Sequence, residues 1–171
     1  MKKIVLIILA LSLCAGGAMA QKKSAAKGGS SYQTIGIHGG YGWEISYQKG
    51  SDASRFELNL GLAGDGVSLT YVKQFVKPIS EVQNLNWYWG YGALGYLGTE
   101  DFNIGFKEFA VGVVGDLGLE YRIQELPLTI SLDWRPCVAV RMYSSDVTDT
   151  KFELWNDGIV GFIGLGVRYR F

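Results

Sequence analysis

Cysteine, proline and histidine are scarce in this chain of 171 residues. It contains two cysteines, three prolines and one histidine. So few histidines and cysteines cannot supply the usual nitrogen and sulfur ligands of a zinc site, and we expect neither a metal nor another cofactor. No segment of the chain has the roughly 18 consecutive apolar residues of a transmembrane helix. Any membrane residence must therefore use a closed β-barrel, in which every backbone group is paired.

The charges are balanced, with 16 basic and 16 acidic side chains. This balance gives no basic surface of the kind that binds nucleic acid. Glycine is abundant, with 24 residues, but the glycine pairs lie in predicted turns and on one strand face. They do not stand between a strand and a helix, so they carry no nucleotide-binding signal.

The first 20 residues have the layout of a secretory signal peptide. Two lysines precede the apolar run Ile4 to Leu13, and small residues follow as far as Ala20, which predicts cleavage before Gln21. Residues 21–31 are polar and small, and we expect a flexible periplasmic leader. Residues 32–171 then form the single folded domain. Cleavage would leave Cys137 as the only cysteine, so no intramolecular disulfide is expected.

The clearest folded segment is predicted for residues 159–171, which read IVGFIGLGVRYRF. Apolar and aromatic residues occupy every second position, whereas Arg168 and Arg170 occupy the alternate set. This period is typical of a β-strand whose two faces meet different surroundings. The residues on the apolar face towards the end of the strand are Ile163, Leu165, Val167, Tyr169 and Phe171.

Seven further segments alternate in the same way and are separated by turn residues. Eight strands of about ten residues suit a small transmembrane barrel. Pro136 interrupts the seventh segment and predicts a bulge or a local break in pairing. We interpret residues 76–84 as a turn, and 98–107 and 144–156 as loops. The predicted strands are 32–39, 43–49, 55–62, 67–75, 85–97, 108–123, 128–142 and 159–171.

These segments together resemble the small eight-stranded outer-membrane barrels of the OmpA transmembrane-domain and OmpX type. The segment from Leu126 to Pro136 is also similar to members of the uncharacterised compact outer-membrane barrels. The resemblance implies an all-β fold, a transmembrane antiparallel up-and-down β-barrel, in the outer membrane of a Gram-negative bacterium. Its partners would be outer-membrane lipids, lipopolysaccharide and the barrel assembly machinery, which would recognise the apolar face ending at Phe171 as an assembly signal. With the amino terminus in the periplasm, an even number of strands returns the carboxyl terminus to the periplasm.

All arginines fall on the polar face of the predicted strands, whereas the lysines lie in loops, turns or strand ends. An eight-stranded barrel is only wide enough for side chains to fill it, and the planar guanidinium suits paired carboxylates better than an ammonium does. We therefore predict a plugged lumen. Lys73 is expected to extend to the membrane interface. The predicted lumen network comprises Glu44, Arg55, Glu57, Asp116, Glu120, Arg122, Asp133, Arg135, Arg141, Arg168 and Arg170.

A plugged barrel favours a structural or surface-interaction role without catalysis. One alternative is a narrow channel for small solutes, lined by arginine and aspartate. Another is a lipid A-modifying acyl enzyme, because His38, Ser68 and Asp65 fall near the same end of the predicted barrel. We interpret His38 instead as a lumen residue satisfied by the charge network. The sequence does not identify an external partner for the two predicted loops.

Overall fold

The structure, a computed structural model, describes residues 31–40, 42–63, 66–99, 106–146, 149–155 and 163–171. Within these ranges the chain forms ten strands, and no helix there is long and apolar enough to cross a membrane. The strands are β1 (Tyr32–Gly39), β2 (Trp43–Gly50), β3 (Ser54–Ala63), β4 (Gly66–Pro78), β5 (Leu85–Thr99), β6 (Phe106–Arg122), β7 (Leu128–Trp134), β8 (Cys137–Asp146), β9 (Asp149–Trp155) and β10 (Ile163–Arg170).

The sheet closes on itself through β10. On one side β10 pairs antiparallel with β1, where Ile37 lies opposite Val167, and on the other with β7, where Ile130 lies opposite Val167. From β1 to β7 each strand pairs with the next, so the ring contains β1 to β7 and β10. The predicted eight-stranded, closed antiparallel barrel is confirmed. Closure removes the unpaired edges that an open sheet would expose.

β7 and β8 lie in line and together occupy the seventh position of the ring. Both pair with β6, with Trp134 opposite Leu117 and Cys137 opposite Val114. The step from Trp134 to Cys137 is as long as the step from Leu117 to Val114 on β6. No extra residue is therefore inserted at Pro136. The Gly115 N–H donates to the Pro136 carbonyl at 2.8 Å, but Pro136 has no N–H to return. Of the two predicted outcomes, the structure has the local break in pairing and not the bulge.

Three of the predicted connections contain strand residues. The predicted loop 98–107 is too long at both ends, because β5 continues to Thr99 and β6 begins at Phe106. The predicted turn 76–84 begins too early, because residues 76–78 belong to β4. This strand pairs with β5 as far as Pro78. A proline is tolerated there because it is the last residue of the strand. The predicted loop 144–156 is wrong over most of its length, since β8 extends to Asp146 and β9 pairs with it. Residues 100–105 and 156–162 lie outside the described residues.

The two faces of the barrel are chemically inverted relative to a water-soluble protein. The outer wall carries large apolar side chains that are strongly exposed, such as Trp43 at 74% and Val113 at 67%. The lumen instead buries charged side chains, with Arg55 at 1% and Glu57 at 0% exposure. Charged residues are almost never buried so completely unless they are paired. The barrel therefore has its polar core inside and its apolar surface outside.

The barrel has two rims, which we name from the chain. The lower rim is the one where β1 begins and β10 ends, and it carries the connections 51–53, 79–84 and 123–127. The upper rim is the opposite one, where β1 gives way to β2 and β3 to β4. This division locates the side chains of the lumen.

Candidate functional site in the barrel lumen

Glu57 is the centre of the lumen network. It lies on β3 and is fully buried. Five side-chain donors from around the ring reach its two carboxylate oxygens, so its capacity to accept hydrogen bonds is fully used. The donors are Ser46 Oγ at 2.9 Å, Gln48 Nε2 at 2.9 Å, Gln74 Nε2 at 2.6 Å, Arg135 Nη2 at 2.9 Å and Arg168 Nη2 at 2.7 Å.

Arg135 connects Glu57 to the opposite wall. It precedes Pro136 at the break between β7 and β8, and it is 6% exposed. Its guanidinium lies 3.2 Å from Asp133, 3.5 Å from Asp116 and 3.7 Å from Glu44, besides its hydrogen bond to Glu57. A single arginine therefore offsets the charge of several carboxylates at once. The planar fork of guanidinium nitrogens makes this geometry possible.

His38 belongs to the same network. Its Nδ1 lies 3.1 Å from Glu44 Oε2, and its Nε2 lies 2.9 Å from Asp133 Oδ1. These are the hydrogen bonds of a histidine held between two acids. The enzyme hypothesis needs a serine and an acid near His38, but both ring nitrogens of His38 contact these two carboxylates. Asp65, the acid of that hypothesis, lies outside the described residues.

A second cluster lies towards the lower rim. Arg55 contacts Glu120, donates to Gln74 Oε1 at 2.6 Å and donates to Tyr32 at 3.1 Å. Gln74 also donates to Glu57, so it joins this cluster to the central one. The buried charges thus form a continuous chain of contacts from the middle of the lumen towards its lower end.

At the lower rim the pairs become partly exposed. Arg122 reaches Glu120 at 2.9 Å and Asp52 at 2.7 Å, and Arg170 reaches Asp52 at 3.4 Å. The Arg170 guanidinium carbon lies 4.0 Å from the centre of the Tyr32 ring. Exposed ion pairs contribute little to stability, so we assign the plug to the buried part of the network.

Arg141 is placed differently from the other predicted members. It lies on β8 near the upper rim, and its Nε is 2.6 Å from Glu108 Oε1. Its side chain is 32% exposed. The structure therefore gives Arg141 a carboxylate partner that the sequence prediction did not include.

Sequence reasoning missed the uncharged members of the network. Arg168, for example, donates to Ser46 at 2.9 Å and Ser131 at 2.6 Å, and Tyr88 donates to Asp133 at 2.9 Å. Strand parity placed these hydroxyl and amide side chains on the polar face, but nothing in their type marks them as partners of a charge. Asp52 was missed because it lies in a turn. The missed partners are Tyr32, Ser46, Gln48, Asp52, Gln74, Asn86, Tyr88, Glu108 and Ser131.

A cavity of about 140 Å³ lies between the network and the upper rim. Arg135, His38 and Glu44 line it, and Leu94 and Val114 give its walls apolar surface. The described residues contain no group of three or more His, Cys, Asp or Glu side chains that could hold a metal ion. Buried ion pairs therefore fill the lumen on the side of the lower rim, and the cavity lies on the side of the upper rim.

Comparison with known proteins identifies the fold alone. No protein-family model matches the chain, and no curated protein matches it. Among solved structures it is similar to the N-terminal β-barrel domain of Pseudomonas aeruginosa OprF, with a TM-score of 0.52 and 15% sequence identity. The match covers 85% of this chain and 100% of that domain.

Proposed function

We propose that this chain is an outer-membrane β-barrel protein with a structural or surface-interaction role and a plugged lumen. The observation that carries the proposal is the complete burial of Glu57 and Arg168, which bridge the lumen at 2.7 Å. Inside so narrow a barrel, side chains that meet in the centre leave no aqueous path. No catalytic step is part of the proposal.

Membrane residence is supported by the inverted faces of the barrel and by its fold. Outward aromatic side chains, including Tyr47, Phe56, Trp89 and Tyr169, lie on the half of the strands nearer the lower rim. Rings in such positions form the girdle that barrels place at the membrane–water interface. In this proposal outer-membrane lipids and lipopolysaccharide surround the wall.

The orientation of the barrel is also proposed. The predicted signal peptide and leader place the start of β1 in the periplasm, so the lower rim faces the periplasm. The upper rim, with the β8–β9 hairpin, then faces the outside of the cell. An external partner would meet the hairpins of the upper rim.

The plug predicts that the native barrel is electrically silent. After refolding from detergent into a planar bilayer, we expect no single-channel openings, because the buried ion pairs fill the lumen. Arg135→Ala removes the side chain that joins four carboxylates and should produce intermittent openings. Arg141→Ala, near the upper rim, is the matched control and should stay silent.

The competing channel hypothesis makes the opposite prediction for the same recording. Reproducible openings of the native barrel, with an ion selectivity that changes in Arg135→Ala, would show that the lumen is a path. In that case the structural role would be rejected in favour of a narrow solute channel.

We also propose that the outward face of β10 is the signal for the barrel assembly machinery. Its residues are exposed and alternate along the strand that closes the ring, and the rings of Tyr169 and Phe171 stack with their centres 6.5 Å apart. The proposed signal comprises Ile163, Leu165, Val167, Tyr169 and Phe171.

This signal can be separated from stability by comparing cells with purified protein. Phe171→Ala should lower the folded, heat-modifiable fraction in the outer membrane several-fold, while refolding in detergent stays close to native. Tyr121→Ala removes a similarly exposed outward ring from β6 at the same rim and is the matched control. Equal losses for both variants in cells would contradict a recognition role for Phe171.

A further inference from the structure

The outer wall carries an uneven distribution of charge. Among the described strand side chains that point outward, the charged ones are Lys49, Lys73 and Lys77, and none is a carboxylate. All three lie on β2 and β4, which both pair with β3. The prediction placed Lys73 near a strand end, but β4 continues for five further residues to Pro78. Lys73 therefore lies on the wall itself.

Strand register brings two of these lysines to one site. Phe56 on β3 lies opposite Lys49 on one side and opposite Lys73 on the other. Because neighbouring strands are about 4.8 Å apart, the Cα atoms of the two lysines are about 10 Å apart. Both ammonium groups can therefore reach a single anion held above the Phe56 ring. Lys73 also lies opposite Tyr91 on β5.

Aromatic residues flank these lysines on the same face of the neighbouring strands. The Phe56 ring centre lies 6.2 Å from that of Tyr47 and 6.2 Å from that of Tyr71. On the next strands, Phe75 stacks on Trp89 with ring centres 4.7 Å apart. Such rings settle at the level of lipid headgroups. The lysines are thus held at the depth where lipid phosphates lie.

We propose that this lysine–aromatic patch, formed by Lys49, Phe56, Lys73, Lys77 and Tyr91, binds the phosphate of an anionic glycerophospholipid in the leaflet next to the lower rim. The inference rests on the proposed function, because it requires a membrane around the wall. A lysine ammonium is a compact point charge suited to phosphate. The described outer wall has no carboxylate to compete for it. The occupant is a lipid because the surrounding wall is apolar.

The test measures which lipids stay bound to the barrel. The protein is placed in nanodiscs of equal parts phosphatidylcholine and phosphatidylglycerol, and the lipids retained after release are counted by native mass spectrometry. We expect phosphatidylglycerol to be enriched on the native barrel. In Lys49→Gln/Lys73→Gln the enrichment should fall by about 10- to 30-fold, since each lysine near an anionic lipid surface contributes about fivefold.

Two control variants separate the patch from total charge. Lys49→Arg/Lys73→Arg keeps both charges and should retain the enrichment. Lys22→Gln/Lys23→Gln removes two lysines outside the patch and should retain it as well. Equal losses in this second variant and in Lys49→Gln/Lys73→Gln would overturn the assignment, because the preference would then follow net charge.

The remaining outcomes distinguish this inference from the function on which it rests. A barrel that inserts but retains both lipids equally would overturn the patch and leave the outer-membrane proposal standing. A second nanodisc with lipid A in place of phosphatidylglycerol tests the source of the phosphate, and lysine-dependent preference for lipid A would overturn the glycerophospholipid. Failure to insert into any bilayer would reject the proposed function itself.

Discussion

Glu57→Gln is expected to lower the free energy of unfolding by about 3–5 kcal/mol, the usual cost of removing one partner of a buried ion pair. Arg135 and Arg168 would lose the carboxylate that both contact. The NH₂ group of the new glutamine would also face hydrogen-bond donors. Gln48 and Gln74 donate to one oxygen of the native carboxylate, and Ser46, Arg135 and Arg168 donate to the other. Whichever way it turns, its NH₂ faces at least two donors.

The measurement is urea unfolding in detergent micelles, followed by tryptophan fluorescence. Glu125→Gln is the matched control, because it removes the same charge from an exposed turn at the lower rim. It should leave the unfolding midpoint unchanged. A loss below about 1 kcal/mol in Glu57→Gln would be smaller than the penalty for stranding a single buried polar group and would contradict its central position.

Gly36→Ala is expected to destabilise the barrel by about 1–3 kcal/mol or more, the range of overpacking in a filled interior. Gly36 lies on β1 opposite Arg168 of β10, in the seam that closes the ring. An added Cβ would overlap the Val167 carbonyl oxygen and the Arg168 Cα atom. Both are backbone atoms, so no side-chain rotation can relieve the clash, and the two strands must move apart.

Gly95→Ala is the control for this substitution and should have the opposite sign. Gly95 lies on β5, and an added Cβ there meets nothing within 4 Å. Replacing a strand glycine by alanine then removes freedom from the unfolded chain, which stabilises a protein by about 0.4–1 kcal/mol. Urea unfolding of both variants, with the heat-modifiable fraction on gels, checks the pair. Equal free energies of unfolding for Gly36→Ala and Gly95→Ala would show that the contact between β1 and β10 can accommodate the added methyl group.

Much of the barrel follows from alternation in the sequence. β3 illustrates the reason: Phe56, Leu58 and Leu60 point to the outer wall, whereas Arg55 and Glu57 are buried in the lumen. A one-residue slip would exchange these two faces, so the pattern fixes which side chains of the strand face the lumen. The same alternation indicated which charged side chains share the lumen.

Alternation could not predict how those side chains connect. Gln and Ser usually lie on solvated surfaces, so the types of Gln74 and Ser46 do not mark them as partners of Glu57. β9 was missed because its alternation is short: Phe152 and Leu154 alternate with Lys151 and Glu153 over only a few residues, and pairing with β8 supplies the rest of the strand. The contacts between lumen side chains therefore depend on the closure of the ring, which the sequence pattern alone does not show.

The central network also bears on how quickly the barrel can fold. Glu57 finds Ser46 and Gln48 close by in sequence, but Arg135 is 78 residues away and Arg168 is 111 residues away. Contacts of such long range form only after most of the chain has been organised, which slows folding. A half-formed sheet would hold these charges before their partners arrive. The ion pair between Arg168 on β10 and Glu57 on β3 therefore stabilises the barrel only after the two ends of the sheet have met.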